Sequence, residues 1–357
     1  MKIPFILVGC GKFSLQRLQI LIDSKKFEPV ACVDLDTETA KINLQKNSKL
    51  SFLANKVFKT ITEAQKKNKA EVCFIYAASR SHTKLCIESL NLGLHTLAVK
   101  SIAINKDEFK KLINVHKKNP HLMLVQGLNN QWNEAATQMI DLVKNPNEVG
   151  KMLGGQCTCW GRQNLNQGGP PMDDVTIEGM FFHTLACHQL SQLVAAKGLP
   201  EFVTSYVHSR EDDEIGYKGI LGTSGGQCIF EYEDGVPFTY TGTRAGHGNP
   251  FGYASRWSGN WIFHGEKADV KRDGGRVQLY KKGNLVQDLF LKDLDNGLVE
   301  DEKRQFNFFY ESINDKKKRE WLQQNSLDTW ILLDACNESA NRKEKVSIKK
   351  LKEYYYS

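Results

Sequence analysis

The chain has 357 residues, which at roughly 150 residues per domain suggests two domains. Its 41% hydrophobic and 25% charged residues suit a globular protein with real cores, and no apolar run approaches the roughly 18 residues a membrane helix needs. The net charge of +7 is mild and scattered, and its densest run, Lys316 to Lys318 with Arg319, lacks interleaved aromatics, so it reads as a solvated helix end and not a nucleic-acid patch.

The first stretch, "PFILVGCGKFSLQRL" (Pro4 to Leu18), has two readings. Leu7, Val8, Gly9 and Cys10 resemble a lipoprotein cleavage box. Gly9, Gly11 and Ser14 resemble a dinucleotide-binding turn. The export reading needs a basic start and a longer apolar segment, but Pro4 interrupts this one and only Lys2 precedes it. The cofactor reading needs a strand, a helix and an acidic residue about 20 positions on. Ile3 to Val8 is rich in strand formers. Leu15, Leu18, Leu21 and Ile22 recur at helical spacing. "EPVACVDLD" (Glu28 to Asp36) is a second strand that ends at Asp34, twenty residues after Ser14. The cofactor turn is therefore the expectation, with Gly9, Gly11, Lys12, Phe13 and Asp34 as cofactor-binding residues. Asp34 would hold the ribose hydroxyls and repel a 2′-phosphate, which favours NAD over NADP. The alternative for Asp34 is a turn residue before Asp36 and Thr37.

Further strands read as "AEVCFIYAAS" (Ala70 to Ser79), "HTLAVKSIA" (His95 to Ala103) and "HLMLVQGLN" (His121 to Asn129). Helices lie between them, around "HTKLCIESLNLG" and "KDEFKKLINVHKK". This alternation predicts a doubly wound parallel sheet over residues 1–126. Residues 127–357 change texture. A helix at Asn133 to Lys144 precedes the strand "GKMLGGQCTCWG", where Cys157 and Cys159 face one side. A helix covers Glu178 to Ala196. Strands then follow one another from Phe202 to Leu291, as "FVTSYVHS", "GQCIFEYE", "PFTYTGT", "GNWIFHG" and the single run "RVQLYKKGNLVQDLFL" (Arg276 to Leu291), and late helices lie near Glu300 to Asn314 and Leu327 to Asn341. This predicts an α+β domain with a large, mostly antiparallel open sheet. The nine cysteines show no disulfide spacing, and Cys10, Cys32, Cys73, Cys86 and Cys187 lie in apolar stretches. That pattern suits a reducing, cytoplasmic setting. His183 and Cys187 are four apart, but two ligands make no metal site.

Over nearly the whole chain the sequence resembles the glucose–fructose oxidoreductase / inositol dehydrogenase (Gfo/Idh/MocA) family. The landmarks are "VGCGKFS", "ACVDLD", "IYAASRSHTKLCIESLNLGLHTLAVKSIA", "VQGLNNQW", "TLACHQLSQL" and "LLDACNESANRKEKVSI". The resemblance implies hydride transfer between a nicotinamide cofactor and a sugar, cyclitol or related small molecule, bound between the domains. It also implies a homodimer or homotetramer. The family's Glu-Lys-Pro motif aligns with Val99, Lys100 and Ser101, so Lys100 becomes the catalytic proton carrier and a contact of both cofactor and substrate. A cis bond before Ser101 costs about 3 kcal/mol more than before proline, so this turn is expected to be built differently. The family's Asp-x-Gly-x-His-x-x-Asp helix aligns with Thr184, Ala186, His188 and Ser191. His188 is the second catalytic candidate, and Thr184, His188 and Ser191 share one helical face. Ala78 and His82 become cofactor contacts. Asn129 and Gln131 stand where the family has Asn and Arg, and Trp160, Arg162 and Asn164 are candidate sugar contacts. The alternative reading is a cofactor-binding regulator or pseudoenzyme, because Ser14, Val99, Ser101 and Ser191 all depart from the family pattern.

Overall fold

The computed structural model describes residues 2–160, 181–208, 225–243, 258–292 and 299–357. Arg162 and Asn164 lie outside the described residues. The chain divides into two compact units. The first comprises Met1–Gly127, Glu302–Leu327 and Tyr356; the second comprises Leu128–Asp301, Asp328–Tyr355 and Ser357.

The first unit is built on β1 (Ile3–Val8), β2 (Phe27–Val33), β3 (Val57–Phe58), β4 (Val72–Ile75), β5 (His95–Val99) and β6 (Leu124–Gly127). Their order in the sheet is β3-β2-β1-β4-β5-β6, and every pair is parallel. A parallel sheet is covered on both faces, which is why β4 is apolar at all four positions and wholly buried. The crossovers are α1 (Lys12–Asp23), α2 (Thr37–Gln45), α3 (Ile61–Lys67), α4 (Ser79–Asn91) and α5 (Lys106–Lys118). Side chains of Asp36, Thr60 and Asn105 cap α2, α3 and α5. Phe5, Phe27 and Phe74 meet edge to face in the core, 5.2 to 6.2 Å apart. Phe306 and Phe309 lie 5.6 Å from Phe74, and Arg17 forms a buried ion pair with Glu302 at 2.7 Å. These contacts explain why residues 302–327 pack with this sheet.

The second unit contains a nine-stranded sheet. Its strands are β7 (Met152–Trp160), β8 (Phe202–His208), β9 (Gly225–Glu231), β10 (Pro237–Thr243), β11 (Asn260–Gly265), β12 (Asp269–Asp273), β13 (Arg276–Lys281), β14 (Asn284–Phe290) and β15 (Val346–Ser347). The order is β14-β13-β12-β11-β7-β10-β9-β8-β15, and among the described residues only β7 and β10 run parallel. Phe238, Trp261 and Phe263 gather on its inner face. Cys157 and Cys159 are buried there as expected, and burial pushes the Cys159 thiol up to about 12. The remaining helices are α6 (Glu134–Lys144), α7 (Cys187–Lys197), α8 (Val299–Asn314), α9 (Lys316–Arg342) and α10 (Ile348–Tyr356); residues 302–327, in α8 and α9, belong to the first unit. Among the described residues no helix is long and apolar enough to cross a membrane.

Several elements differ from expectation. The single run expected at Arg276 to Leu291 is a hairpin, turned at Lys282 and Gly283 with φ of 51° and 76°. Strand β12 was not expected, because "DVKRD" hides its inward position behind Arg272, which is fully buried. Short helices α2, α3 and α10 were also missed. The basic run at Lys316 opens α9, which begins eleven residues before the expected start at Leu327.

Candidate functional site

In a doubly wound sheet, ligands bind at the carboxyl ends of the strands, where the strand order reverses. Here that reversal lies between β1 and β4. Gly9 follows β1 with φ of +92°, and an added Cβ would sit 2.6 Å from the Tyr76 carbonyl oxygen after β4. Only glycine allows this closeness. Gly11 is different: a Cβ there meets nothing within 4 Å. Gly11 opens α1 with φ of −76° and no side-chain cap, so the first N–H groups of the helix are available to an anion. Ser14 is buried, and its hydroxyl donates to Tyr76 O at 3.3 Å, so this small residue fills the packing role of a third glycine. Lys12 and Phe13 lie in the first turn of α1. Both are exposed, with the Arg17 guanidinium 3.6 Å over the Phe13 ring.

Asp34 follows β2 on the same edge of the sheet. Its Oδ2 accepts the Cys10 N–H at 2.8 Å and its Oδ1 the Asp36 N–H at 3.1 Å. The carboxylate thereby fastens the glycine turn to the end of β2, and it stays half-buried. These residues fit a dinucleotide: an open backbone at Gly11, a helix N-terminus, and a fixed carboxylate at the second strand. Ala78, the N-cap of α4, is exposed on the edge after β4.

Lys100 follows β5 and is half-buried. The Lys100–Ser101 peptide is cis. This corrects the expectation that replacement of the proline removes such a bond. The turn is instead held by hydrogen bonds from several elements. Ser79 Oγ donates to Lys100 O at 3.4 Å. A ring nitrogen of His82 lies 2.8 Å from Ser101 O. Thr83 Oγ1 lies 3.1 Å from Ile102 O and 2.8 Å from Glu108 Oε2. Ile102 N–H donates to Gln126 Oε1 at 3.0 Å, and Ser101 Oγ to Ala103 O at 2.7 Å. The other nitrogen of His82 lies 2.8 Å from Ala77 O, and the ring has no exposed surface. Both partners are carbonyl oxygens, so the nitrogen that carries the proton donates to its carbonyl. Sequence reading found His82 but missed Ser79, Thr83, Glu108 and Gln126. Their signal is the polar i, i+3, i+4 spacing of 79, 82 and 83 in "SRSHT".

In the second unit His188 lies on α7 and is largely buried. Its carbonyl accepts Gln192 Nε2 at 2.9 Å and Ser191 Oγ at 3.2 Å. Gln192 Oε1 in turn accepts from Arg272 Nη1 at 2.7 Å, and Arg272 Nη2 reaches Asn133 Oδ1 at 3.3 Å. Thus α6, α7 and β12 are tied around the histidine-bearing turn, through an arginine that sequence reading missed. Phe182–Ala186 is a π-helical segment, which alters the angular step between Thr184 and His188. Ser191 has no exposed surface, whereas Thr184 is half-buried, so the three do not form one uniform face. The His183 ring packs 5.7 Å from Trp330, and Cys187 is buried. Asn129 and Gln131 sit on a 3-10 turn packed near α7, and Trp160 ends β7. Asn129 Nδ2, Gln131 Oε1 and Trp160 Nε1 are buried and make no hydrogen bond. Such buried groups are costly to leave unpaired.

Residues 3–126 match the sequence model of an oxidoreductase family with an NAD-binding Rossmann fold, Gfo/Idh/MocA. Those residues are similar to the NAD-binding domain of the Gfo/Idh/MocA oxidoreductases and carry its Rossmann fold, in agreement with the glycine turn. No curated protein matches the sequence. Solved structures resemble the whole fold at low identity. An oxidoreductase from Agrobacterium radiobacter, in complex with NAD+, L-tartaric acid and magnesium, is 14% identical with a TM-score of 0.81, covering 98% of this chain and 100% of that one. A myo-inositol dehydrogenase from Corynebacterium glutamicum is 16% identical with a TM-score of 0.73, covering 97% and 99%. The WlbA dehydrogenase from Chromobacterium violaceum, in complex with NADH and UDP-GlcNAcA, is 17% identical with a TM-score of 0.71, covering 97% and 96%.

Proposed function

We propose that this chain is an NAD-dependent oxidoreductase acting on a hydroxyl or carbonyl of a sugar, cyclitol or sugar derivative. The observation that carries the reading is the carboxyl edge of the first sheet, where Gly9, Gly11, Asp34 and a firmly held Lys100 turn stand together. When bound, the nicotinamide takes or gives the hydride. Lys100 Nζ hydrogen-bonds the reacting oxygen and carries its proton. His188 assists that transfer, held through its carbonyl by Gln192 and Ser191. Asn129, Trp160, Arg162 and Thr184 bind substrate hydroxyls, and the unpaired polar atoms of Asn129 and Trp160 support that role. Similar folds bound to tartaric acid or a sugar nucleotide support a small polar substrate. The protein works as a homodimer or homotetramer.

The test is NAD reduction by the purified protein with a panel of sugars, inositols and sugar acids. One positioned acid or base contributes roughly 10² to 10⁴-fold, so Lys100→Met should lower kcat at least about 10²-fold with NAD affinity nearly unchanged. Equal turnover by Lys100→Met would overturn the mechanism. No turnover by the unmodified protein would favour the regulator or pseudoenzyme reading.

A further inference from the structure

We propose that Ser79, His82 and Thr83 are positioning residues that set the direction of the Lys100 side chain. The inference rests on Lys100 being the proton carrier. These three lie on one face of α4, at i, i+3 and i+4. They meet three consecutive carbonyls of the turn after β5: Ser79 meets Lys100 O, His82 meets Ser101 O and Thr83 meets Ile102 O. On the other side, Gln126 Oε1 takes the Ile102 N–H. The backbone that bears Lys100 is thus gripped from α4 and from β6.

His82 is the centre of the clamp. Its second nitrogen lies 2.8 Å from Ala77 O, so one ring spans the loop after β4 and the turn after β5. With no exposed surface and both nitrogens occupied, it acts through the backbone of these two loops and not by touching a ligand. Thr83 extends the grip to Glu108, whose backbone N–H is bonded by the Asn105 cap of α5. A catalytic group needs its geometry held closely, and a misplacement of about 1 Å can cost on the order of 10²-fold in rate. The clamp supplies that constraint to Lys100.

The experiment uses the full chain and two readouts. The first is kcat, KM and NAD affinity for His82→Leu, His82→Gln and the double variant Ser79→Ala/Thr83→Val, with NAD and the panel of sugars, inositols and sugar acids as probes. The second needs no turnover: the ¹³C resonance of reductively methylated Lys100, assigned by its loss in Lys100→Arg and followed with NAD alone. His82→Leu should lower kcat about tenfold or more, keep NAD affinity within about twofold and shift the Lys100 resonance. His82→Gln, which can still donate to a carbonyl, should recover part of both. If His82→Leu does not fold, the double variant decides, since it removes two hydroxyls at nearly constant shape. A folded variant with unaltered kcat and an unaltered Lys100 resonance would overturn the clamp. So would a loss confined to NAD affinity, which would make His82 a cofactor contact. If the unmodified protein turns over nothing on the panel, the functional reading fails separately, and the Lys100 resonance still decides whether the clamp orients it.

Discussion

Gly9 and Gly11 belong to the same short turn, yet the structure gives them different work, and alanine at each should separate the two. At Gly9 the new Cβ would lie 2.6 Å from Tyr76 O and 2.9 Å from Tyr76 C, both backbone atoms at the end of β4. Neither can swing aside as a flexible side chain would. The φ of +92° is a second obstacle. Backbone strain of about 1–3 kcal/mol and overpacking of about 1–3 kcal/mol give a cost on the order of 2–6 kcal/mol. That corresponds to a fall in Tm of roughly 5–20 °C. Gly11 has an ordinary φ of −76° and nothing within 4 Å of the new Cβ. Gly11→Ala should therefore change Tm by no more than about 2 °C, while its methyl group stands where the pyrophosphate approaches and weakens NAD binding about tenfold, near 1.4 kcal/mol. Thermal unfolding and calorimetry with NAD measure the two effects on the same samples. If Gly11→Ala unfolds as early as Gly9→Ala, or binds NAD as the unmodified protein does, the assignment of this turn to the pyrophosphate is wrong.

Three further outcomes are expected, two at the site and one at the opposite end of β5. Asp34→Asn keeps an oxygen for the Cys10 N–H but removes the charge, so calorimetry should show the preference for NADH over NADPH shrinking about tenfold or more, and equal affinity in the unmodified protein would contradict the NAD assignment. His188→Asn keeps a hydrogen-bonding side chain without a transferable proton, so its loss should fall on kcat; a change confined to KM would make His188 a hydroxyl holder. His95 reports acid stability: burial, then Arg319 and His121, lower its imidazole from 6.5 to about 4, and its Nδ1 accepts the Met123 N–H at 3.0 Å. The unfolded chain takes up this proton first, so stability present above pH 6.5 should decline as pH falls toward about 4 and level off below; His95→Asn should flatten that window, and an unchanged slope would assign the loss to other groups.

How far the sequence could be read depended on the range over which each feature is encoded. The first β-α-β unit is local: apolar strand, glycines, helix and Asp34 follow within about 35 residues, and hydrophobic periodicity with turn chemistry was enough. The fold of the second unit was legible as a run of strands, but β12 was not. Its buried Arg272 breaks the apolar alternation, and what makes burial tolerable is Gln192, eighty residues away. The same distance problem hid the Lys100 turn. A missing proline predicted a different backbone, because the intrinsic preference of a Lys-Ser bond is all that the local sequence encodes. The contacts that accompany the observed turn come from Ser79, His82, Thr83 and Gln126, between 19 and 24 residues distant. His82 shows the consequence most clearly. Its match to the family's histidine marked it as a functional residue, but a histidine beside a cofactor and a histidine bracing the backbone leave the same trace in a sequence. Only the two carbonyls on its ring nitrogens separate the readings, and they shift attention from the ring's own chemistry to the residue whose backbone it holds.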